Sequence, residues 1–328
     1  SVGLMSRLVL GSNHFAQQYV ALGGLSSPSL RRLLSPSRTA AALTDALLIL
    51  CQLARLGDGI GSGGGGAGGG PNAALHGAGL CERLPPLLQH ADAGVRAKAC
   101  NLLGNLCKHS AAFYSELQRA AALLPLLARR CADADAATRK FACFAVGNAG
   151  FHSTQLYAPL APCVEPLVGC LSDSDQKTRA NAAGALGNLA RNGGELCAEL
   201  LSQHAPAALL RLVCDATDAA DAAAAKTGAE PATADAAADV AARLSPARTA
   251  LFSLGNLAAH SECRGPMVGL GLEVSLLRFE SHADGLVASY ASRCLGKLRA
   301  SPPAARPAGR GRLLRSRQTG VGEGLPAG

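Results

Sequence analysis

The sequence predicts an all-α chain, a right-handed superhelix of stacked three-helix repeats. A Gly-Asn pair recurs at 104/105, 147/148, 187/188 and 255/256, each time inside a helical apolar pattern. The spacings are 43, 40 and 68 residues, and the long step contains an Ala/Asp/Thr-rich stretch of 29 residues, Asp215 to Arg243. A period of about 40 residues therefore runs through the chain. Composition agrees: the chain is 48% hydrophobic but only 3% aromatic, with no Trp. Its core must be built from Leu, Ala and Val, which suits helices better than sandwiches or barrels. A chain this apolar is not disordered, and no strictly apolar run reaches the roughly 18 residues of a membrane span. At about 150 residues per domain the length suggests two domains, but a repeat period makes it one extended solenoid of about six units.

Residues 1–57 read as one or more degenerate N-terminal repeats, because Thr39 to Gly57 is a weaker copy with Gln52 in the Asn place. A Gly-rich linker, 58–71, follows. It matches a G-x-G-x-x-G pattern trivially but lacks the strand before it and the helix after it that a phosphate loop needs. The repeats proper are 72–110, 113–153, 155–193, 195–261 and 263–301, the last with Lys297 replacing Asn. The Asp215 to Arg243 insert and the Pro/Gly-rich tail, 302–328, read as segments without a fixed place in the stack.

Within each repeat the third helix carries the clearest signal. Ala99, Leu102, Leu103, Leu106 and Cys107 form one apolar stripe at i, i+3, i+4, i+7, i+8. Asp92, Asp135 and Asp175 stand where a carboxylate caps the helix start. His109, His152, Asn192 and His260 lie five residues after each Gly, where a polar side chain meets the last free carbonyls. Pro125, Pro166 and Pro206 mark the start of the second helix, since Pro is tolerated in a first turn and breaks what precedes it. Leu103, Leu106, Val146, Leu186, Leu189, Leu254 and Leu257 should pack between neighbouring third helices. Three helices in about 40 residues is the armadillo pattern, so the fold class is an armadillo-type α-solenoid.

The net charge is +8, but the tail alone holds five Arg against one Glu. The folded part is only mildly basic, which gives no nucleic-acid signal. Twelve Cys include no C-x-x-C pair and no zinc spacing. They read as small core residues in a reducing compartment, with no metal and no cofactor. His109, His152 and His260 each stand in a different repeat, too far apart to share a metal. No G-x-S-x-G, H-E-x-x-H, P-loop or kinase signature is present, so no catalytic residue is assigned and the chain itself is not expected to be an enzyme.

Two residue series are candidates for binding a protein partner. Asn105, Asn148, Asn188 and Asn256 occupy one position on the third helix, the helix that lines the concave groove of armadillo folds. Their amides suit either the backbone of an extended peptide or neighbouring helix ends within the solenoid itself. Arg139, Lys140 and Arg179, with Arg96 and Lys177, suit either an acidic partner or surface pairs with Asp133, Asp135, Asp173 and Asp175. In nuclear-import adaptors of this fold a Trp stands four residues before the Asn. Here Asn101, Phe144, Gly184 and Phe252 stand there, which weakens a nuclear-transport reading.

A more specific resemblance rests on four stretches: Arg96-AKACNLLGNLCKHSAAFYSE-Leu117, Arg130-CADADAATRKFACFAVGNAGFH-Ser153, Thr178-RANAAGALGNLARNGGEL-Cys197 and Ala250-LFSLGNLAAHSEC-Arg264. Together, and with Leu286-VASYA-Ser292, they resemble the C-terminal armadillo region of Fused-type serine/threonine kinases, most of all the plant and algal TWO-IN-ONE form, from about residue 13 to 301. The resemblance implies a kinase domain N-terminal to this segment, with ATP bound only there. It also implies protein partners such as kinesin-like motors, a role in cytokinesis, ciliary central-pair assembly or Hedgehog signalling, and a cytoplasmic, microtubule- or cilium-linked location.

Overall fold

In the computed structural model the described residues are 2–56, 71–227 and 234–300. The Gly-rich segment up to Gly70, the centre of the 215–243 insert and the tail 302–328 lie outside them. Among the described residues there is no strand. The N-terminal part is α1 (Val2–Gly11), α2 (Asn13–Ala21), α3 (Ser27–Leu33) and α4 (Ala40–Leu56). Then come α5 (Pro71–Gly77), a 3-10 turn, α6 (Pro85–Leu88) and α7 (Ala93–Leu106), followed by α8 (Tyr114–Arg119), α9 (Leu123–Cys131) and α10 (Ala136–Ala149). The next unit is α11 (Tyr157–Leu160), a second 3-10 turn, α12 (Val164–Cys170) and α13 (Gln176–Asn188). It is followed by α14 (Cys197–Ser202), α15 (Ala205–Thr227) and α16 (Ala234–Leu257), and by α17 (Ser261–Gly269), α18 (Leu272–Leu277) and α19 (Gly285–Arg299). Pro71, expected at the end of the linker, is the buried first residue of α5.

The local signals act where the sequence puts them. Asp92, Asp135 and Asp175 accept the N–H of Val95, Thr138 and Thr178 at 3.0, 2.7 and 2.8 Å, and Asp284 does the same for Val287 at 2.9 Å. Pro125, Pro166 and Pro206 fall in the first three residues of α9, α12 and α15, where the missing N–H is one the helix would leave unpaired anyway. The third helices α4, α7, α10, α13, α16 and α19 pack in sequence, and α1 packs on α4 from the other side. All seven leucine and valine positions expected between third helices are buried, none more than 2% exposed. All twelve cysteines are free thiols, and eleven of them are buried. Burial pushes the Cys107 thiol up to about 12, which marks it as core rather than reactive.

One expectation is corrected. The stretch Asp215 to Arg243 was expected outside the stack, yet α15 runs on through Thr227 and α16 begins at Ala234. Leu209, Leu212, Val213, Ala216, Thr217 and Ala220 are buried at helical spacing, while Asp215, Asp218 and Asp221 are exposed. Alanine favours helix, and the small side chains let α15 and α16 pack along each other. Pro246 sits inside α16. It supplies no N–H to the Ala242 carbonyl one turn back, and Gln176 Nε2 of the neighbouring third helix donates to that carbonyl instead.

Candidate functional site

The recurring polar residues link each repeat to its neighbour. At the end of α7 the Lys108 N–H bonds the Asn105 carbonyl, an i+3 turn that leaves the Gly104 carbonyl unpaired by the helix. Phe151, Arg191 and Ala259 make the same turn onto Asn148, Asn188 and Asn256. The next repeat then supplies a side-chain donor, which at Gly187 O adds to the Ala190 N–H at 3.3 Å. Asn148 Nδ2 donates to Gly104 O at 2.8 Å, Asn188 Nδ2 to Gly147 O at 2.9 Å and Asn256 Nδ2 to Gly187 O at 3.1 Å. Lys297, in the Asn place, donates Nζ to Gly255 O at 2.6 Å, and burial, followed by the charge of Arg293, holds its ammonium pKa below the ordinary lysine value. Asn105 is the exception. The residue before Gln52 is Cys51 rather than Gly, and Asn105 Nδ2 turns to Asn101 Oδ1 at 3.2 Å.

At Gly104 and Gly187 the next helix crosses too closely for a side chain. A Cβ on Gly104 would stand 2.3 Å from the Phe144 ring, and one on Gly187 would stand 2.2 Å from Ser253 Oγ and 2.8 Å from Ser253 Cα. Nothing lies within 4 Å of a Cβ on Gly255. Gly187→Ala should therefore lose about 1–3 kcal/mol through overpacking. Gly255→Ala should gain about 0.5–1 kcal/mol by helix propensity, both read by denaturant titration.

The residues expected to cap the ends of their own third helices cap the preceding repeat. His109 Nε2 pairs with Arg55 O at 3.2 Å, His152 Nε2 with Cys107 O at 3.1 Å and His260 Nε2 with Ala190 O at 2.6 Å. Asn192 Nδ2 reaches Phe151 O at 2.9 Å. With a carbonyl as partner, Nε2 carries the proton. Tyr114 and Tyr157 instead bond within their own repeats, donating to Asn148 O at 3.0 Å and Asn188 O at 2.6 Å near the ends of α10 and α13.

The arginines that open the third helices are clamps. Arg96 holds both oxygens of Asp133 (3.0 and 2.8 Å) and the carbonyls of His90 and Ala91. Arg139 holds Asp173 at 2.6 Å and the carbonyls of Asp133 and Ala134. Arg248 holds Asp284. Arg179 bonds the carbonyls of Asp173 and Ser174, and the acidic loop its neighbour would offer is replaced by the α15–α16 pair. These are not the surface pairs expected from spacing: the side chains of Asp133 and Asp173 are only 3% and 5% exposed.

Burial pushes the Asp133 carboxyl up, but hydrogen bonds from Arg96 and the Asp135 N–H outweigh it, so its pKa lies below the ordinary carboxylate value. Asp173 and Asp284 shift the same way under Arg139 and Arg248. A folded-state pKa below the unfolded one contributes stability above the unfolded value and loses it as pH falls through the folded one. The unfolding free energy should thus hold from pH 7 to about pH 5 and fall progressively below about pH 4, as urea titrations across that range will show.

With arginines and most asparagine amides engaged internally, the exposed chemistry lies between the rows. A cleft of about 480 Å³ spans α7, α10, α13 and the start of α16. Its lining includes Asn101, Lys140, Phe141, Phe144, Lys177 and Asn181. Phe144 occupies the slot where import adaptors carry Trp. The equivalent Phe252 packs edge-on against Tyr290 with centroids 5.8 Å apart. Lys98 and Lys140 approach the Phe141 ring at 5.8 and 5.3 Å. Of the candidate residues, Lys140 and Lys177 line the cleft. Asn148, Asn188 and Asn256 are half-buried on the same helices, and Arg139 and Arg179 stand in the clamps. Sequence reasoning did not single out Phe141 and Asn181, whose signal was their place seven residues before each Asn.

The Armadillo/beta-catenin-like repeat family matches residues 161–191. Over 299 residues, 90% of the chain, the sequence is 34% identical to serine/threonine-protein kinase TIO of Arabidopsis thaliana, of which it spans 21%. It is 33% identical over 223 residues to serine/threonine-protein kinase 36 of Mus musculus, covering 65% of this chain and 16% of that protein. An engineered protein superposes on 91% of the chain and 63% of its own with a TM-score of 0.72 at 19% identity. A designed armadillo repeat protein in complex with peptide (KR)4 covers 83% of the chain and 98% of its own with a TM-score of 0.65 at 22% identity. These two structures share the fold. The chain spans about a fifth or less of the length of the curated relatives.

Proposed function

We propose that this armadillo-repeat scaffold, related to Fused- and TIO-type kinases, is the non-catalytic docking region of a serine/threonine kinase. It would hold an extended segment of a protein partner along the third helices, so that a kinase domain elsewhere in the parent protein meets its target. The observation that carries the reading is the cleft of about 480 Å³ over α7, α10 and α13, lined by Phe141 and Phe144 of α10 and by side-chain amides of α7 and α13. Aromatic rings supply contact area at low entropic cost, and amides such as Asn101 and Asn181 suit a peptide backbone. Partners of the kinesin-like motor class, in cytokinesis or ciliary central-pair assembly, fit the kinship to these kinases, as does a cytoplasmic, microtubule-linked location.

The test is direct binding of kinesin-like motor tail segments to the immobilised chain, compared with the Phe141→Ala plus Phe144→Ala variant. The reading expects a loss of roughly tenfold or more, about 1.4 kcal/mol, measured where the variant keeps a cooperative melt. Equal binding by the variant would move the docking surface off this cleft.

A further inference from the structure

We infer that the cleft selects an acidic extended segment, an assignment that rests on the docking reading and names its partner chemistry. The third-helix face carries two kinds of cation, and the structure separates them. Arg96, Arg139 and Arg248 are bound to buried or half-buried carboxylates, and Arg179 to backbone carbonyls. Lys98, Lys140 and Lys177 enter none of the ion pairs or side-chain hydrogen bonds among the described residues. Lys98 and Lys140 stand over the Phe141 ring, and Lys140 and Lys177 line the cleft.

The carboxylates near this face are committed elsewhere. Asp133 and Asp173 lie in the clamps, Asp92, Asp135 and Asp175 cap helices, and Asp45 accepts from Ser6 Oγ at 2.9 Å. The cleft floor is thus an aromatic pair flanked by three ammonium groups that pair with no carboxylate among the described residues. Low-dielectric walls strengthen such a field, and like charge in a partner is penalised there. The basic tail, with five Arg against one Glu, is the wrong sign for this cleft.

The α15–α16 pair sets one limit of the site. α16 begins 22 residues before its Asn, whereas α7, α10 and α13 begin 12 before theirs. The added turns bring Ala242 to the cleft wall beside Ser245, and the Gln176 bond to the Ala242 carbonyl fixes it there. An extended segment would run across α7 and α10 and meet this wall beyond α13.

The experiment uses the 328-residue chain and three fluorescent decapeptides that share two central Leu and carry Glu, Gln or Lys at all other positions. Anisotropy titrations should rank Glu over Gln over Lys, with roughly tenfold or more between the first two at low salt. The gap should narrow as salt rises. The triple change Lys98→Glu, Lys140→Glu and Lys177→Glu should reverse the order while keeping the cooperative melt. A single change, Lys177→Glu, at an exposed position, should shift the order the same way if the triple variant folds poorly. Binding without charge preference, or tightest binding of the Lys peptide, overturns the acidic assignment and leaves the docking reading standing. Absence of binding by all three overturns both.

Discussion

Asp133→Ala should be the most damaging single change in the solenoid, with a loss of about 3–5 kcal/mol. The carboxylate receives two bonds from Arg96, one from Arg130 at 2.7 Å and one from the Asp135 N–H at 3.0 Å. Truncation leaves two guanidinium groups without a counter-charge at the joint between the repeat ending in α7 and the one ending in α10. The Arg96 side chain is only 14% exposed, so water restores little of what is lost. Denaturant titration of Asp133→Ala, Arg96→Ala and the double variant forms a cycle. Arg96→Ala should cost less on its own, and the pair should couple by more than about 1 kcal/mol. A loss below about 1 kcal/mol for Asp133→Ala would place the pair among ordinary surface ion pairs.

Leu186→Ala should cost about 2–5 kcal/mol. Leu186 is fully buried on α13, the helix held between α10 and α16. The cavity would open at two joints of the stack. Because stability in a solenoid is a sum of nearest-neighbour terms, hydrogen exchange should quicken in α10 and α16 as well as in α13. Faster exchange confined to α13 would mean the repeats are not coupled through this residue.

Most of the fold was legible in the sequence because each repeat repeats the same solutions. The Asp caps, the first-turn prolines and the Leu stripe are local features, and local features survive without knowing the neighbour. What lay between repeats was less legible. His152 was readable as a helix cap, but its acceptor is Cys107 O in the preceding repeat, and no spacing rule says which helix end a side chain will meet. Arg139 looked like a surface charge for the same reason: its partner Asp173 is 34 residues away. The insert was misread because an Ala-rich stretch looks like low complexity. The signal was present in Asp215, Asp218 and Asp221, three apart on one face, with Leu212, Val213, Ala216 and Ala220 on the other. The cleft itself was half visible. Phe144 and Lys140 stood out, but that the lysines remain unpaired while the arginines are engaged depends on side-chain reach.

The central claim is that the recurring asparagines join repeats by donating to the Gly carbonyl of the repeat before. It is tested most directly by unfolding the double variant Asn148→Ala plus Asn188→Ala in denaturant. Two carbonyls, Gly104 O and Gly147 O, would lose their amide donors. At roughly 0.5–1.5 kcal/mol for each bond, the loss should total about 1–3 kcal/mol, with Glu-peptide binding retained wherever the variant is folded. Unchanged stability together with a loss of peptide affinity would contradict the account and return the asparagines to the binding groove.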